Sequence, residues 1–231
     1  MAKKAKQTQP DSFEGIESAL TRTEQFIEDN SRVLSYVILG IIAAVLIVMG
    51  TRRFYFKPLE DEAASQMFMA EKFFERDSFN LALNGYGTYP GFLQITEDYG
   101  ITKAANLAEY YAGISYLRLG EYENAIDYLK SFKTDDILVG AAKFTALGDA
   151  YVELGDYEEA VKSYKKAIDD FPNDYSTPLV MKKTALVYEE MEEYKEANDI
   201  YRSIDREYPD SEEARDIQKY ITRTNLKMQK G

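Results

Sequence analysis

Residues 141–174 carry a pattern that two packed helices satisfy and a strand does not. Apolar residues recur there at helical spacing in two runs, which Gly155 and the aspartate after it separate, and Pro172 follows the second run. Glycine is typical of a turn, and proline lacks the N–H group that would continue a helix. Gly148 and Ala160 are small at positions where two helices must approach closely. The pattern therefore predicts a unit of two helices joined by a turn, 34 residues long.

Related units are expected on both sides, because one helix pair cannot bury its apolar face alone. The mark Tyr-x-x-Ala, which opens the second helix of each unit, occurs at Tyr122, Tyr157 and Tyr194, at intervals of 35 and 37 residues. In the third of these units Glu192 and Glu193 replace the turn glycine and aspartate, which predicts a tighter or more helical turn.

A less regular unit precedes these repeats, and one further helix follows them. Upstream, a loop insertion at 84–91 interrupts the second helix of a divergent repeat. Downstream, Asp210 and Glu213 are spaced as a capping box for a final helix. The predicted units are 59–100 for the divergent first repeat, 106–138, 141–174 and 178–210 for the regular repeats, and 211–231 for the capping helix.

The repeat length and the order of large, small and aromatic positions, with a closing proline, resemble the tetratricopeptide repeat. The resemblance implies an all-α solenoid in which the first helix of each pair lines a concave surface that binds peptides or partner helices. The lining mixes apolar and charged residues, which suits an extended segment or an amphipathic helix. The alternative is that these residues pack against the chain's own cap or first repeat. The matching positions are Tyr110, Ile114, Leu117, Arg118, Thr145, Asp149, Val152, Lys182, Leu186 and Glu189.

An apolar segment at 33–51 is the second strong feature, with no charged residue in 19 positions. At about 1.5 Å per residue the segment spans about 28 Å, close to the hydrocarbon thickness of a bilayer. A cleaved signal peptide is the competing interpretation, but the segment lacks a small-x-small cleavage site. We predict that residues 33–53 form a single transmembrane helix in the lipid bilayer.

The residues before this anchor predict its orientation. Residues 1–10 are expected to be a disordered basic tail, and 11–32 an amphipathic helix that lies on the membrane surface or, alternatively, docks to a partner. Positive charges favour the cytoplasmic side when they lie on a short tail. The five that precede the anchor are Lys3, Lys4, Lys6, Arg22 and Arg32. The N-terminus is therefore predicted to be cytoplasmic, with the repeats across the membrane.

Composition narrows the range of functions. The chain has neither cysteine nor histidine, which excludes disulfides and thiol catalysis and removes the commonest general base and metal ligand. No catalytic motif or phosphate-binding loop is recognisable, so we predict no enzyme activity, no cofactor and no metal site. An enzyme built from Asp, Glu, Lys, Ser and Tyr is the alternative.

Residues 54–231 contain 21 lysines and arginines against 34 aspartates and glutamates, and this acidic character makes nucleic acid a poor partner.

The layout of tail, anchor, four repeats and cap resembles the YfgM-like ancillary subunits of the bacterial Sec translocon, with the closest local likeness at 102–122. This resemblance implies a protein of the bacterial inner membrane with its repeats in the periplasm, where SecYEG and periplasmic chaperones would be its partners. Two alternatives stay open. One is a scaffold for another envelope assembly, in outer-membrane biogenesis or secretion machinery, and the other is a structural homo-oligomer.

Overall fold

The computed structural model describes residues 25–229, and within this range the chain is helical, with no strand and one isolated bridge between Tyr86 and Tyr89. The all-α prediction is therefore confirmed. The tail predicted at 1–10, and the amphipathic helix predicted at 11–32 as far as residue 24, lie outside the described residues. Contacts divide the chain into two compact units, Met1–Pro58 and Leu59–Gly231.

The first unit contains helix α1 (Ser31–Thr51), which follows a helical segment at 25–29 and is followed by a π-helical turn at Arg52–Phe56. No residue of α1 is buried, and Ile38 and Leu46 are 56% and 62% exposed. Among residues 25–229, Ser31–Phe74 is the one helical stretch that is long and apolar enough to cross a membrane. No residue of the apolar window in this stretch is buried.

The second unit is a series of helix pairs. Helix α2 pairs with two short helices, α3 and α4, which the loop at 85–91 separates, and three regular pairs follow. A 3₁₀ turn at Glu213–Asp216 then leads into a last helix, α11. The helices are α2 (Lys57–Phe74), α3 (Phe79–Asn84), α4 (Phe92–Asp98), α5 (Lys103–Leu119), α6 (Tyr122–Ser131), α7 (Ile137–Glu153), α8 (Tyr157–Asp170), α9 (Thr177–Glu190), α10 (Tyr194–Glu207) and α11 (Ile217–Met228).

All four pairs turn in the same way. One residue of each turn has a left-handed backbone: Asp77 (φ 54°), Gly120 (φ 79°), Gly155 (φ 75°) and Glu192 (φ 61°). The N–H group of the next residue then donates back to the preceding helix, as Glu193 does to the carbonyl oxygen of Tyr188 at 2.8 Å. These bonds satisfy carbonyl groups that the helix end leaves free. The prediction of a tighter or more helical turn at Glu192 is therefore wrong, because Glu192 adopts the left-handed backbone conformation that Gly120 and Gly155 adopt in the preceding turns.

Small residues allow the two helices of a pair to approach closely. One alanine per pair is fully buried five residues after the left-handed position: Ala82, Ala125, Ala160 and Ala197, each 0% exposed. On the facing helix, a Cβ atom added to Gly148 would lie 2.3 Å from a ring carbon of Tyr164. That distance is far shorter than a van der Waals contact, so the sequence expectation for Gly148 and Ala160 agrees with the packing.

The caps explain where several helices begin. Thr102 accepts a hydrogen bond from the N–H group of Ala105 and starts α5 before the repeat predicted at 106–138. At the C-terminal end, Ser211 accepts a bond from the N–H group of Ala214 at 3.2 Å. The capping box predicted for Asp210 is replaced by this serine bond, because the chain enters a 3₁₀ turn before α11.

Candidate functional site

The first helices of the three regular pairs, α5, α7 and α9, line an open groove of about 830 Å³. Its wall is largely apolar and reaches solvent: Leu138, Leu179 and Leu186 are 57%, 43% and 38% exposed. Asp136 fixes the start of α7, because its side chain accepts hydrogen bonds from the N–H groups of Leu138 and Val139, both at 2.9 Å. The first turns of α7 and α9 thus bring leucines to the groove.

One ion pair crosses the groove between α7 and α9. The ammonium group of Lys183 lies 2.7 Å and 2.8 Å from the two carboxylate oxygens of Asp149. Both side chains are about one-third exposed, at 33% and 31%. Solvent screens a pair of this exposure, so its contribution to stability is small. A charged residue of a bound partner can also reach it.

Asp149 also accepts a hydrogen bond from Tyr164 of α8, whose hydroxyl group donates at 2.5 Å to Oδ1, one of the two oxygens that Lys183 contacts. Burial raises the pKa of Tyr164 far above its ordinary value, and the negative charge of Asp149 raises it further. The hydroxyl group therefore stays protonated and remains a donor. At the rim, the hydroxyl group of Tyr122 donates to Glu153 at 3.2 Å, which places a second carboxylate beside the groove.

Seven of the ten positions predicted from the repeat pattern line this groove. They are Ile114, Leu117, Arg118, Thr145, Asp149, Val152 and Leu186. The structure brings them together because they lie on one face of the first helices of successive pairs, at similar numbers of residues before each turn.

The other three predicted positions lie outside the groove. Lys182 lies over the ring of Tyr220 in α11, 5.0 Å from its centroid. Glu189 accepts hydrogen bonds from Tyr201 at 2.7 Å and from Arg223 at 2.5 Å. Both engage the neighbouring cap, as the alternative interpretation of these positions expected.

Tyr110, the third of these positions, packs within the array. Its ring centroid lies 5.2 Å from that of Phe132, which is 3% exposed, and 6.0 Å from that of Tyr111. An aromatic side chain is large enough here to reach the end of the second helix of its own pair. A repeat pattern gives the helical face of a residue but not the reach of its side chain.

Sequence reasoning missed several groove residues, and two signals could have found them. The first signal is the pair of adjacent lysines on α9. Lys183 follows Lys182, and because successive side chains are about 100° apart around a helix, only one of the two can face the groove. The second signal is the set of large apolar residues in the first turn of a helix, where the repeat motif is least defined. Those residues are Leu138 and Leu179, with Tyr175 just before α9.

The groove has the chemistry of a binding surface. Among residues 25–229, no group of three or more acidic side chains is arranged to hold a metal ion. The groove combines exposed leucines, one solvent-accessible ion pair and rim charges at Arg118 and Glu153. Such a lining offers apolar contact along its length and polar contact at fixed points, which suits a polypeptide segment.

Comparison with known families agrees with the helix pairs. A model described as "TPR repeat" matches residues 148–176, and one described as "Tetratricopeptide repeat" matches 107–136 and 182–211. No curated protein matches the chain. The matched segments coincide with the second and fourth helix pairs and with most of the third. The three regular helix pairs therefore contain the segments that are similar to tetratricopeptide repeats.

Proposed function

We propose that this chain is a membrane-anchored interaction scaffold that holds a polypeptide segment in the groove of α5, α7 and α9. The observation that carries the proposal is the exposure of Leu138, Leu179 and Leu186 along one concave wall. Burial of apolar surface contributes about 25 cal/mol per Å², so a partner that covers these leucines gains affinity. The fixed charges of Lys183 and Asp149 then orient the partner.

The anchor completes this proposal. Residues 33–53 include most of α1, whose apolar side chains face outward on every side. A helix that is apolar all around and uncovered is unstable in water, and a bilayer supplies the missing contact. Tethering confines the repeats to the membrane surface and raises their effective concentration near membrane-bound partners. In this proposal the N-terminus is cytoplasmic and the repeats are periplasmic.

Within that role, we place the chain beside the Sec translocon of the bacterial inner membrane, where it assists exported chains together with periplasmic chaperones. Support comes from the resemblance to YfgM-like subunits and from the order of tail, anchor, repeats and cap. The mechanism is binding without chemistry, since the groove has no recognisable catalytic arrangement. The alternative is a scaffold of another envelope assembly, in outer-membrane biogenesis or secretion machinery, which the same anchor and groove would serve.

Site-specific crosslinking in native membranes tests the proposal. A photoreactive amino acid at Leu186 lies in the groove, and one at Lys165 lies on an exposed face of α8 as the control. We expect position 186, and not 165, to crosslink to translocon subunits, periplasmic chaperones or chains in transit. Crosslinks from 186 to outer-membrane assembly or secretion components would instead favour the alternative scaffold. Equal crosslinking from both positions would contradict a role for the groove.

A matched pair of charge substitutions adds a second measurement. Leu186→Asp introduces a charge into the groove, while Leu226→Asp introduces the same charge at an exposed leucine of α11. The proposal expects Leu186→Asp to reduce the co-purified partner about tenfold, since one buried leucine contributes about 1.5–3 kcal/mol. Leu226→Asp should leave the yield unchanged. Loss with both variants would point to general destabilisation of the repeats.

A further inference from the structure

A cluster of lysines lies on the side of α7 that faces away from the groove. Lysines from α6, α7 and α8, with Glu159 of α8, surround a cavity of about 360 Å³, whose floor is formed by the rings of Phe144 and Tyr151 and by the buried Leu147. The lysines are Lys130, Lys143, Lys162 and Lys166. The groove residues Thr145, Asp149 and Val152 lie on another face of α7, so the two surfaces are separate.

Three of the ammonium groups lie close to the aromatic floor. Two of them share one ring: Lys143 lies 5.1 Å and Lys166 4.7 Å from the centroid of Phe144. Lys130 lies 5.4 Å from the centroid of Tyr151. Burial lowers the pKa of Lys143, and the neighbouring charge of Lys166 lowers it further. The positions of Lys143 and Lys166 therefore bring two positive charges near one ring.

The surrounding carboxylates neutralise this cluster only in part, since Glu159 lines the cavity and, with Asp127, attracts Lys130. Among residues 25–229, Lys130, Lys143 and Lys166 form no ion pair, and Lys162 pairs with Glu159 of its own helix at 3.0 Å. Glu109 attracts Lys143 without an ion-pair contact. Residues 54–231 carry 34 acidic against 21 basic side chains. Lys143 also donates a hydrogen bond to the backbone carbonyl oxygen of Phe132. The cavity lining carries four lysines and one glutamate, which locally reverses the acidic charge of residues 54–231.

We infer that this lysine cluster binds an acidic segment of another polypeptide, which places carboxylates between the ammonium groups and an apolar side chain on the Phe144 and Tyr151 rings. An anion relieves the repulsion between Lys143 and Lys166. The recessed aromatic floor adds apolar contact that a bare phosphate cannot use. A peptide offers both carboxylates for the lysines and an apolar side chain for the rings, so it fits the cavity better than a lipid headgroup does.

Peptide binding to the full chain in uncharged detergent tests the inference. The probe is a fluorescein-labelled peptide, Glu-Glu-Leu-Glu-Glu-Phe, and the control peptide has glutamine at each glutamate. At a salt concentration of about 0.05 M, where screening is weak, we expect the acidic peptide to bind about tenfold more tightly than its control. Lys143→Gln and Lys166→Gln should each weaken binding by about fivefold.

Lys165→Gln is the matched control, because it removes the same charge one residue away. The ammonium group of Lys165 lies 5.4 Å from the ring centroid of Tyr188 in α9, outside this cavity. It should change binding by less than about twofold. Leu186→Asp should leave probe binding unchanged, which separates this inference from the function proposed for the groove.

Three results would overturn the assignment of an acidic polypeptide to this cavity. The first is equal binding of the glutamate and glutamine peptides. The second is an equal loss with Lys165→Gln and Lys166→Gln, since that would reflect the net charge of the domain. The third comes from a parallel titration in which phosphatidylglycerol is added to the detergent, and it is binding of that lipid at Lys143 and Lys166 without binding of the acidic peptide. That last result would assign the lysines to a lipid headgroup.

Discussion

Glu192 offers a direct test of what the repeat turn requires. Its φ angle of 61° places it in the left-handed region that glycine occupies in the two preceding repeats. This backbone brings the Cβ atom of an L-residue too close to the following carbonyl oxygen, at a cost of about 1–2 kcal/mol. Glycine avoids that clash but loses about 0.5–1 kcal/mol more conformational entropy on folding. The Glu192 side chain is exposed and forms no hydrogen bond among the described residues, so we expect Glu192→Gly to stabilise the protein by about 0.5–1 kcal/mol.

Thermal unfolding of the full chain in detergent, followed by far-UV circular dichroism, measures this gain. For a domain of this size, 1 kcal/mol shifts the Tm by about 2–4 °C, so Glu192→Gly should raise it by about 1–4 °C. Gly155→Ala is the reverse experiment, because a Cβ atom there meets nothing within 4 Å and only the backbone conformation is tested. It should lower the Tm by a similar amount.

Glu193→Gly is the control on the neighbouring residue. Its φ angle of −82° is ordinary for any L-residue, so glycine relieves no strain there and adds only the entropy cost. The Tm of this variant should fall. If Glu192→Gly lowers the Tm as much as Glu193→Gly does, the left-handed turn is not a source of strain and the reasoning is refuted.

Three further substitutions test packing, a buried hydrogen bond and the loop of the first repeat. Gly148→Ala should destabilise the protein by about 1–3 kcal/mol through overpacking, and in chemical denaturation Tyr164→Leu should remove most of that loss. Tyr201→Phe should cost about 1.5–3 kcal/mol at neutral pH, since its hydroxyl group donates to Glu189 at 2.7 Å. Burial and this bond raise the pKa of Tyr201 above 10.0; its stabilisation is therefore present below pH 10 and lost as the pH rises further. Thermal unfolding between pH 8 and 11 should show a smaller alkaline loss for Tyr201→Phe. Gly91→Ala would place a Cβ atom 2.1 Å from the backbone carbonyl oxygen of Leu83, so hydrogen exchange should speed up in the first repeat and not in the fourth.

Each of these expectations has a clear contrary result. An unchanged penalty for Gly148→Ala in the Tyr164→Leu background would place the clash elsewhere. Parallel pH curves for Tyr201→Phe and the unmodified chain would mean that Tyr201 is not the group responsible. Faster exchange in every repeat of Gly91→Ala would show that the loop supports the whole array and not its first pair alone.

The repeat architecture could be predicted because its determinants are local. A turn, an aromatic residue and a buried alanine at fixed spacing define each second helix, and these marks are readable without any knowledge of packing. The prediction for the turn at Glu192 is wrong for an equally physical reason. The return hydrogen bonds require a left-handed φ angle, which glycine adopts most easily but which glutamate can adopt at a modest energetic cost.

The residues that line the groove were less predictable, because they depend on how neighbouring helices pack against each other. Lys182 and Glu189 occupy places on α9 that correspond to Thr145 and Val152 on α7, so the repeat pattern treats them alike. On α9, however, the cap provides Tyr220 and Arg223, and these side chains engage the two residues. The docking of α11 depends on tertiary contacts such as those of Asn198, which donates to the backbone of Ile221 at 3.1 Å and is 4% exposed. Sequence spacing does not contain that information.

The two surfaces of α7 differ in how well they can discriminate between partners by charge. In the groove, Asp149 and Lys183 already satisfy each other, so an acidic partner residue gains Lys183 only by displacing Asp149, and a basic residue faces the converse exchange. A charged partner residue of either sign therefore gains little binding free energy in the groove, and the fit of apolar side chains decides affinity there. At the lysine cluster Lys130, Lys143 and Lys166 form no ion pair with any residue that the structure describes. An acidic segment therefore binds there without displacing an ion pair, and a basic one is repelled. If one partner contacts both faces, we expect leucine substitutions in the groove to change its dissociation rate, and lysine substitutions to change its association rate and salt dependence.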